Sequence, residues 1–446
     1  MTNAEMESKD SGLPSLGATK RLLAVLSLLC GVLLAWQSFT NSPTSDEDAQ
    51  LVSGIATVRT GDPAYYRVNP PLHRIVSGFA VELCFSPELK GIYSASEMPS
   101  GSRLEFHFGK AVMAHHPDDY HLFFYVGRLV RIPFVLGAGW LLALGAGSAL
   151  RFSFAIGAAL WFTSPLVLGH GWTIMPDAFS GCAMILLLIT TLAWLKAPSK
   201  IKWLAVGIAW GVALGTKFSF CPIYVVWPIG LWLHALATWN VSWRHMMQLF
   251  LLHVGHGFIA LLVIIGIYGG ADVGIPLSDH GFQSKRFLAI MGSKETTEPQ
   301  QEYNWLDACP SPFPKQFLVG VDEQQCHVEL GVPTYFSGKR YDDGIYWYYA
   351  AGLLVKEQLV FVLGIPFLVL GGCKFWRGGK SRSAAELTTS RERFACWILC
   401  LFASASIVAL FSYHRRMALN IRYLFPALPL ISVSYTHLTL PTICSV

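Results

Sequence analysis

From Leu22 onward the chain alternates between apolar runs and polar connections. Leu22 to Trp36 is the first run, and nine follow: Leu122 to Leu150, Phe152 to Leu168, Ala178 to Leu195, Trp203 to Thr216, Phe218 to Ala237, Met246 to Gly270, Tyr346 to Gly372, Phe394 to Phe411 and Tyr423 to Val433. A helical crossing of a bilayer needs about 20 mostly apolar residues. The pattern therefore predicts an all-α polytopic membrane protein with about ten transmembrane helices. No A-x-A-like cleavage site follows the first run, so it reads as an uncleaved helix and not as a signal peptide.

Alternate threading from a cytoplasmic start puts Arg151, Lys196, Lys200, Lys202, Arg244 and the basic stretch from Lys374 to Arg393 on one side. That is the side the positive-inside rule requires. Two long segments, at about 40–121 and 271–345, then fall on the outer face. Both are rich in Pro, Gly, Tyr and acids, and loops of such length are functional or disordered; their aromatics argue for order. The expected plan is a cytoplasmic tail over 1–21, a transmembrane domain over 22–433 with these two outer loops, and a final segment over 434–446. That last segment, "SYTHLTLPTICSV", breaks the tenth run and resembles a translated sequencing-adapter scar, so the native chain is expected to continue with further spans. The sequon at Asn240 falls on the cytoplasmic side and is expected to be unused.

Composition agrees with the pattern. The chain is 53% hydrophobic and only 14% charged, where soluble domains carry about 25% charged residues. The formal charge of +5 sits largely in short connections, where topology accounts for it, and nucleic acid is excluded as a partner. No C-x-x-C pair, H-E-x-x-H, Walker loop or G-x-S-x-G occurs, which removes most soluble-enzyme chemistries.

Several polar residues lie where topology does not call for them. Asp46, Glu47 and Asp48 follow the first run closely, and acids there contribute little to insertion. They suit either the positive end of an interfacial helix or a catalytic carboxylate facing a lipid-borne substrate. In "GDPAYYRVNPPLHR", Pro70 and Pro71 fix a turn, with Asn69 before it and His73 and Arg74 behind. Pro176 and Asp177 open the fourth span, an ordinary helix start, preceded by His170, which reads as a hydrogen-bonded interfacial residue more readily than as a metal ligand. Lys217 lies between two runs on the outer side, either snorkelling to headgroups or contacting a phosphate. Arg415, Arg416 and Arg422 repeat that anomaly, and together these cations point to an anionic ligand. Cys309 and Cys326 share the second outer loop and are candidates for a disulfide if that face is oxidising.

As an ordered set these motifs resemble the membrane glycosyltransferases of family 39, the protein O-mannosyltransferases and their aminoarabinose-transferase relatives. The set comprises the D-E pair after the first span, "NPPLHR", the P-D of the fourth span, "LGTK", the stretch from "PSPFPKQF" through "YFSGKRYDDGIYWYYAAGLLVKE", and "NIRYLFPALPL". Where some relatives carry an acid and a lysine before the double proline, this chain has Val68 and Asn69. The resemblance implies the multi-span GT-C fold, in a membrane expected to be the bacterial inner membrane with the site facing outward. It implies transfer of a sugar from a polyprenyl-phosphate donor to a hydroxyl of a protein, lipid or glycan acceptor, with inversion. It further implies Asp46 as the base, Glu47 orienting the acceptor, and Lys217 and Arg422 stabilising the leaving phosphate. Asp177 would order the site, with Asp48, Asn69, His73, Arg74 and His170 as further substrate contacts. No ligand spacing demands a cofactor, and a divalent cation is left open. The alternatives are a secondary transporter, which predicts an internal repeat that is not seen, and an inactive relative.

Overall fold

The computed structural model describes residues 16–89, 103–145, 151–238, 242–292, 305–358, 384–418 and 420–434. Most of the N-terminal tail, Asn240, the eighth run beyond 358, the basic stretch up to 383 and the segment from 435 lie outside the described residues.

The described chain is helical apart from one hairpin. The helices are α1 Leu16–Thr40, α2 Glu47–Thr60, α3 Leu72–Cys84, α4 Glu105–His115, α5 Tyr120–Leu129, α6 Ile132–Gly145, α7 Arg151–Thr163, α8 Pro165–His170 and α9 Pro176–Lys196. They continue with α10 Lys200–Leu214, α11 Phe220–Ala237, α12 Trp243–Ile267, α13 Lys285–Ile290, α14 Lys315–Leu330, α15 Tyr348–Lys356 and α16 Ala384–Tyr413. Strands β1 Thr334–Phe336 and β2 Lys339–Tyr341 pair antiparallel between α14 and α15.

Among the described residues six helical segments are long and apolar enough to cross a membrane: Gly17–Thr40, Tyr120–Gly145, Pro176–Lys196, Phe220–Ala237, Trp243–Ile267 and Arg391–Tyr413. The expected count of about ten is not tested in full, because the eighth run beyond 358 lies outside the described residues. The third run divides into α7 and α8, and the fifth forms α10, with 15 residues. The tenth run begins as a 3-10 turn, Ile421–Leu424, because Pro426 and Pro429 each lack the N–H an α-helix would need there.

The largest core runs along the spans, centred on Trp161, Trp210, Phe220 and Phe425. Gly207 and Gly211 of α10 and Gly215 at its C-cap form a stripe at helical spacing facing Ile259, Val263 and Ile267 of α12. A Cβ on Gly211 would lie 2.4 Å from Val263 Cβ. Small residues at this spacing let two membrane helices approach closely. The first outer loop folds as α2 packed between α3 and α4. Its closest approach is Gly54 on Gly78, where an added Cβ on Gly78 would lie 2.3 Å from the Gly54 carbonyl carbon. That contact fixes α2, and with it the residue that precedes α2, Asp46.

Candidate active site

Asp46 occupies the N-cap position of α2, yet its side chain makes no cap hydrogen bond. The carboxylate is instead turned to a cation from the far end of the chain. Asp46 Oδ2 accepts from Arg422 Nη2 at 3.0 Å. Arg422 Nε lies 3.4 Å from Asp177 Oδ2, and Lys217 Nζ donates to Asp177 Oδ1 at 2.6 Å. Four side chains from four places in the sequence thus form one line of alternating charge.

Local folding places each of them. Pro176 at the start of α9 leaves Asp177 in the first turn, where the helix dipole favours an anion. Lys217 sits in the turn between α10 and α11, its N–H bonded to Ala213 O at 3.2 Å, and its ammonium lies 4.7 Å from the Tyr423 ring centroid. Burial draws Lys217 below the usual lysine range, with Asp177 opposing that shift. Asn420 Oδ1 accepts from Arg422 N at 3.0 Å, a side-chain turn that orients Arg422.

The network lines a cavity of about 460 Å³. Its polar wall includes Asp46, Asn69, Asp177, Lys217 and Arg422, and its apolar wall includes Phe106, Met175, Phe218, Leu410 and Phe411. Val321, Gln324, His327 and Val328 of α14 also line it. Gly320 allows α14 to seat there, since a Cβ would lie 2.4 Å from Arg67 O. Four cations, Arg103, Lys217, Arg286 and Arg422, face the cavity against two carboxylates. Such a space suits a ligand with one anionic and one apolar part.

Other expected site residues sit behind the wall. Glu47 is fully buried in a bidentate pair with Arg128, at 3.0 and 2.8 Å. Its carboxylate also accepts from Thr44 N and Ile174 N, both at 2.9 Å. With its oxygens so occupied, Glu47 is not presented to the cavity. Asp48 accepts from Ala49 N at 2.7 Å, lies against Gly109 of α4, and is raised above the usual carboxylate range by burial. His73 is buried between Pro70 O at 3.1 Å and Gln50 at 2.9 Å. Burial first, then Arg74 and Arg131, hold it well below the usual histidine range. Arg74 donates to Asn69 O at 2.8 Å and to the carbonyls of Pro63 and Tyr66, bracing the loop that presents Asn69. His170 packs edge-on to Phe425, with ring centroids 6.5 Å apart, and burial lowers it too.

The disulfide expected between Cys309 and Cys326 is not present; both thiols are free. Cys309 Sγ bonds to Trp305 O at 3.5 Å. Burial, then Asp322, Glu329 and Glu323, push the Cys326 thiol up to about 11.

Arg128 and Arg131 were overlooked in the sequence. Two arginines inside an apolar run were the available signal, because intramembrane charges are costly and carry a role. Arg131 donates to His73 O at 2.9 Å and Met175 O at 2.5 Å, tying α3 to the start of α9. Arg103, which meets His327 at 3.2 Å on the cavity wall, had no local signal, since its partner lies on a distant helix.

The donor set does not fit a metal. Both cavity carboxylates are already bound to cations, and among the described residues no group of three or more His, Cys, Asp or Glu is gathered.

No family model and no curated protein matches this chain. Solved structures do. The chain is similar to ArnT from Cupriavidus metallidurans bound to undecaprenyl phosphate, at 15% identity and a TM-score of 0.49, over 93% of this chain and 59% of that one. It is also similar to the oligosaccharyltransferase AglB of Archaeoglobus fulgidus, solved with an inhibitory peptide and a dolichol phosphate, at 12% identity and a TM-score of 0.48, over 95% of this chain and 50% of that one. A second structure of the Archaeoglobus fulgidus oligosaccharyltransferase, in complex with Zn and sulfate, matches at 14% identity and a TM-score of 0.46, over 95% and 49%. The chain therefore spans between half and three fifths of the length of these proteins.

Proposed function

We propose that this chain is a GT-C membrane glycosyltransferase that moves a sugar from a polyprenyl-phosphate donor to an acceptor hydroxyl. In this reading the membrane is a bacterial inner membrane and the site faces outward. The observation that carries the proposal is the Asp46, Arg422, Asp177, Lys217 line on the wall of a cavity whose other wall is apolar. All four positions fall in the motifs that resemble family 39, in the order that the resemblance implies.

The chemistry follows from the roles these groups can fill. The acceptor oxygen attacks the anomeric carbon while its proton passes to Asp46, a positioned carboxylate. The bond from that carbon to the phosphate oxygen breaks, and the electron pair leaves with polyprenyl phosphate. Lys217 and Arg422 stabilise the charge that develops on the leaving oxygen, so no separate acid is needed. A single displacement inverts the anomeric centre. Asp177 touches neither reacting atom; it holds both cations in place.

The test is transfer of radiolabelled sugar from polyprenyl-phosphate donors in membranes carrying the wild type or Asp46→Asn. Loss of about 100-fold or more in the variant, at equal protein level, is expected of a lost general base. Full activity in Asp46→Asn would overturn the assignment.

A further inference from the structure

The two halves of the charged line differ in openness. Lys217 and Asp177 are 7% and 2% exposed, at 2.6 Å, whereas Arg422 and Asp46 are 20% and 34% exposed, at 3.0 Å. Buried, short pairs are fixed, whereas partly exposed ones are held only weakly. Arg422 lines the cavity, its Nε lying 3.4 Å from Asp177 Oδ2 and its Nη2 on Asp46. A partly exposed guanidinium on a cavity wall is placed to meet a second anion, and phosphate is one that suits it.

We propose that Arg422 is a latch on the base: it holds Asp46 until the donor's phosphate binds, and then releases it. This rests on the glycosyltransferase reading and deepens it by assigning an order, donor before proton transfer. While Arg422 donates to Asp46 Oδ2, that oxygen is engaged, and an acceptor hydroxyl must compete with the guanidinium for it. When the phosphate engages Arg422, the pair with Asp46 opens and the carboxylate turns to the acceptor hydroxyl. Asp177 keeps Arg422 in reach throughout, since its other oxygen is anchored by Lys217. No covalent bond changes in this step, only the partner of one cation.

Competition of this kind is reciprocal: if Asp46 and phosphate contend for Arg422, deleting the Asp46 charge must tighten phosphate binding. The experiment measures binding of a sugar-free polyprenyl monophosphate to the full chain in detergent, for the wild type, Asp46→Asn, Asp46→Ala and each combined with Arg422→Ala. Thermal midpoints identify which variants are folded, and the two Asp46 substitutions keep the reading from resting on one of them. The expected result is binding tighter by about 5-fold in the Asp46 variants, with that gain gone when Arg422 is also removed. Unchanged or weaker binding in folded Asp46 variants would overturn the latch and leave the transferase reading standing. Failure of the folded wild type to bind polyprenyl phosphate at all would overturn both.

Discussion

Asp177 carries more structural load than Asp46. It is buried between two cations, and removing one member of a buried pair costs about 3–5 kcal/mol because the other is left uncompensated. Lys217→Ala is therefore expected to lower the thermal midpoint as well as activity, and Lys217→Met with Asp177→Asn to recover much of the stability without the activity. Thermal unfolding beside the transfer assay separates the two. His73 gives a pH prediction. The folded state holds it neutral well below its ordinary value of 6.5, while the unfolded chain takes up a proton near 6.5. Below that pH the unfolded state binds more protons, so His73 makes stability fall as pH falls through 6.5, by at most about 1.4 kcal/mol per pH unit. Melting in detergent at pH 7.5 and 5.5 checks this, and His73→Gln is expected to flatten the difference.

The Gly207, Gly211, Gly215 stripe makes a prediction that does not depend on the chemistry. Gly211→Leu is expected to push α10 from α12 and lower the thermal midpoint. Overpacking of this kind costs about 1–3 kcal/mol or more. Gly78→Ala acts differently: it separates α2 from α3, so it should reduce transfer through misplacement of Asp46 even in protein that remains folded. Such elements were partly legible. Apolar runs marked the long spans, since a bilayer imposes both length and composition on them. The same signal was less complete in the last run, which opens as a 3-10 turn ahead of Pro426. The helices of the outer loops left little trace, because α2 is packed on nearly all sides and has no one-sided pattern to read.

The cavity is a property of the assembled molecule. It is closed by Asp46 ahead of α2, the loop carrying Tyr66 to Asn69, the starts of α9 and α11, the end of α16, the turn before 425, and α14 from the second outer loop. The motifs located Asp46, Asp177, Lys217 and Arg422, because a charge in an apolar setting stands out in a sequence. Arg103 and His327 were not legible, since only folding brings α14 beside the residue preceding α4. With four cations facing two carboxylates, binding of a polyprenyl phosphate should weaken as salt rises from about 50 to 500 mM, because partly open sites are screened. A titration of the same probe at several salt concentrations measures this.

Glu47 and Asp46 are neighbours in the chain, yet one is sealed against Arg128 and the other faces the cavity. A pattern search reads "DE" as a single signature, whereas two separate selective forces would maintain its letters. Under the proposed function, loss of the glutamate would be felt by every copy at assembly, and loss of the aspartate only by copies still making product. A paralogue that retained the glutamate and let the aspartate drift would be a well-built pseudoenzyme, recognisable from that one substitution.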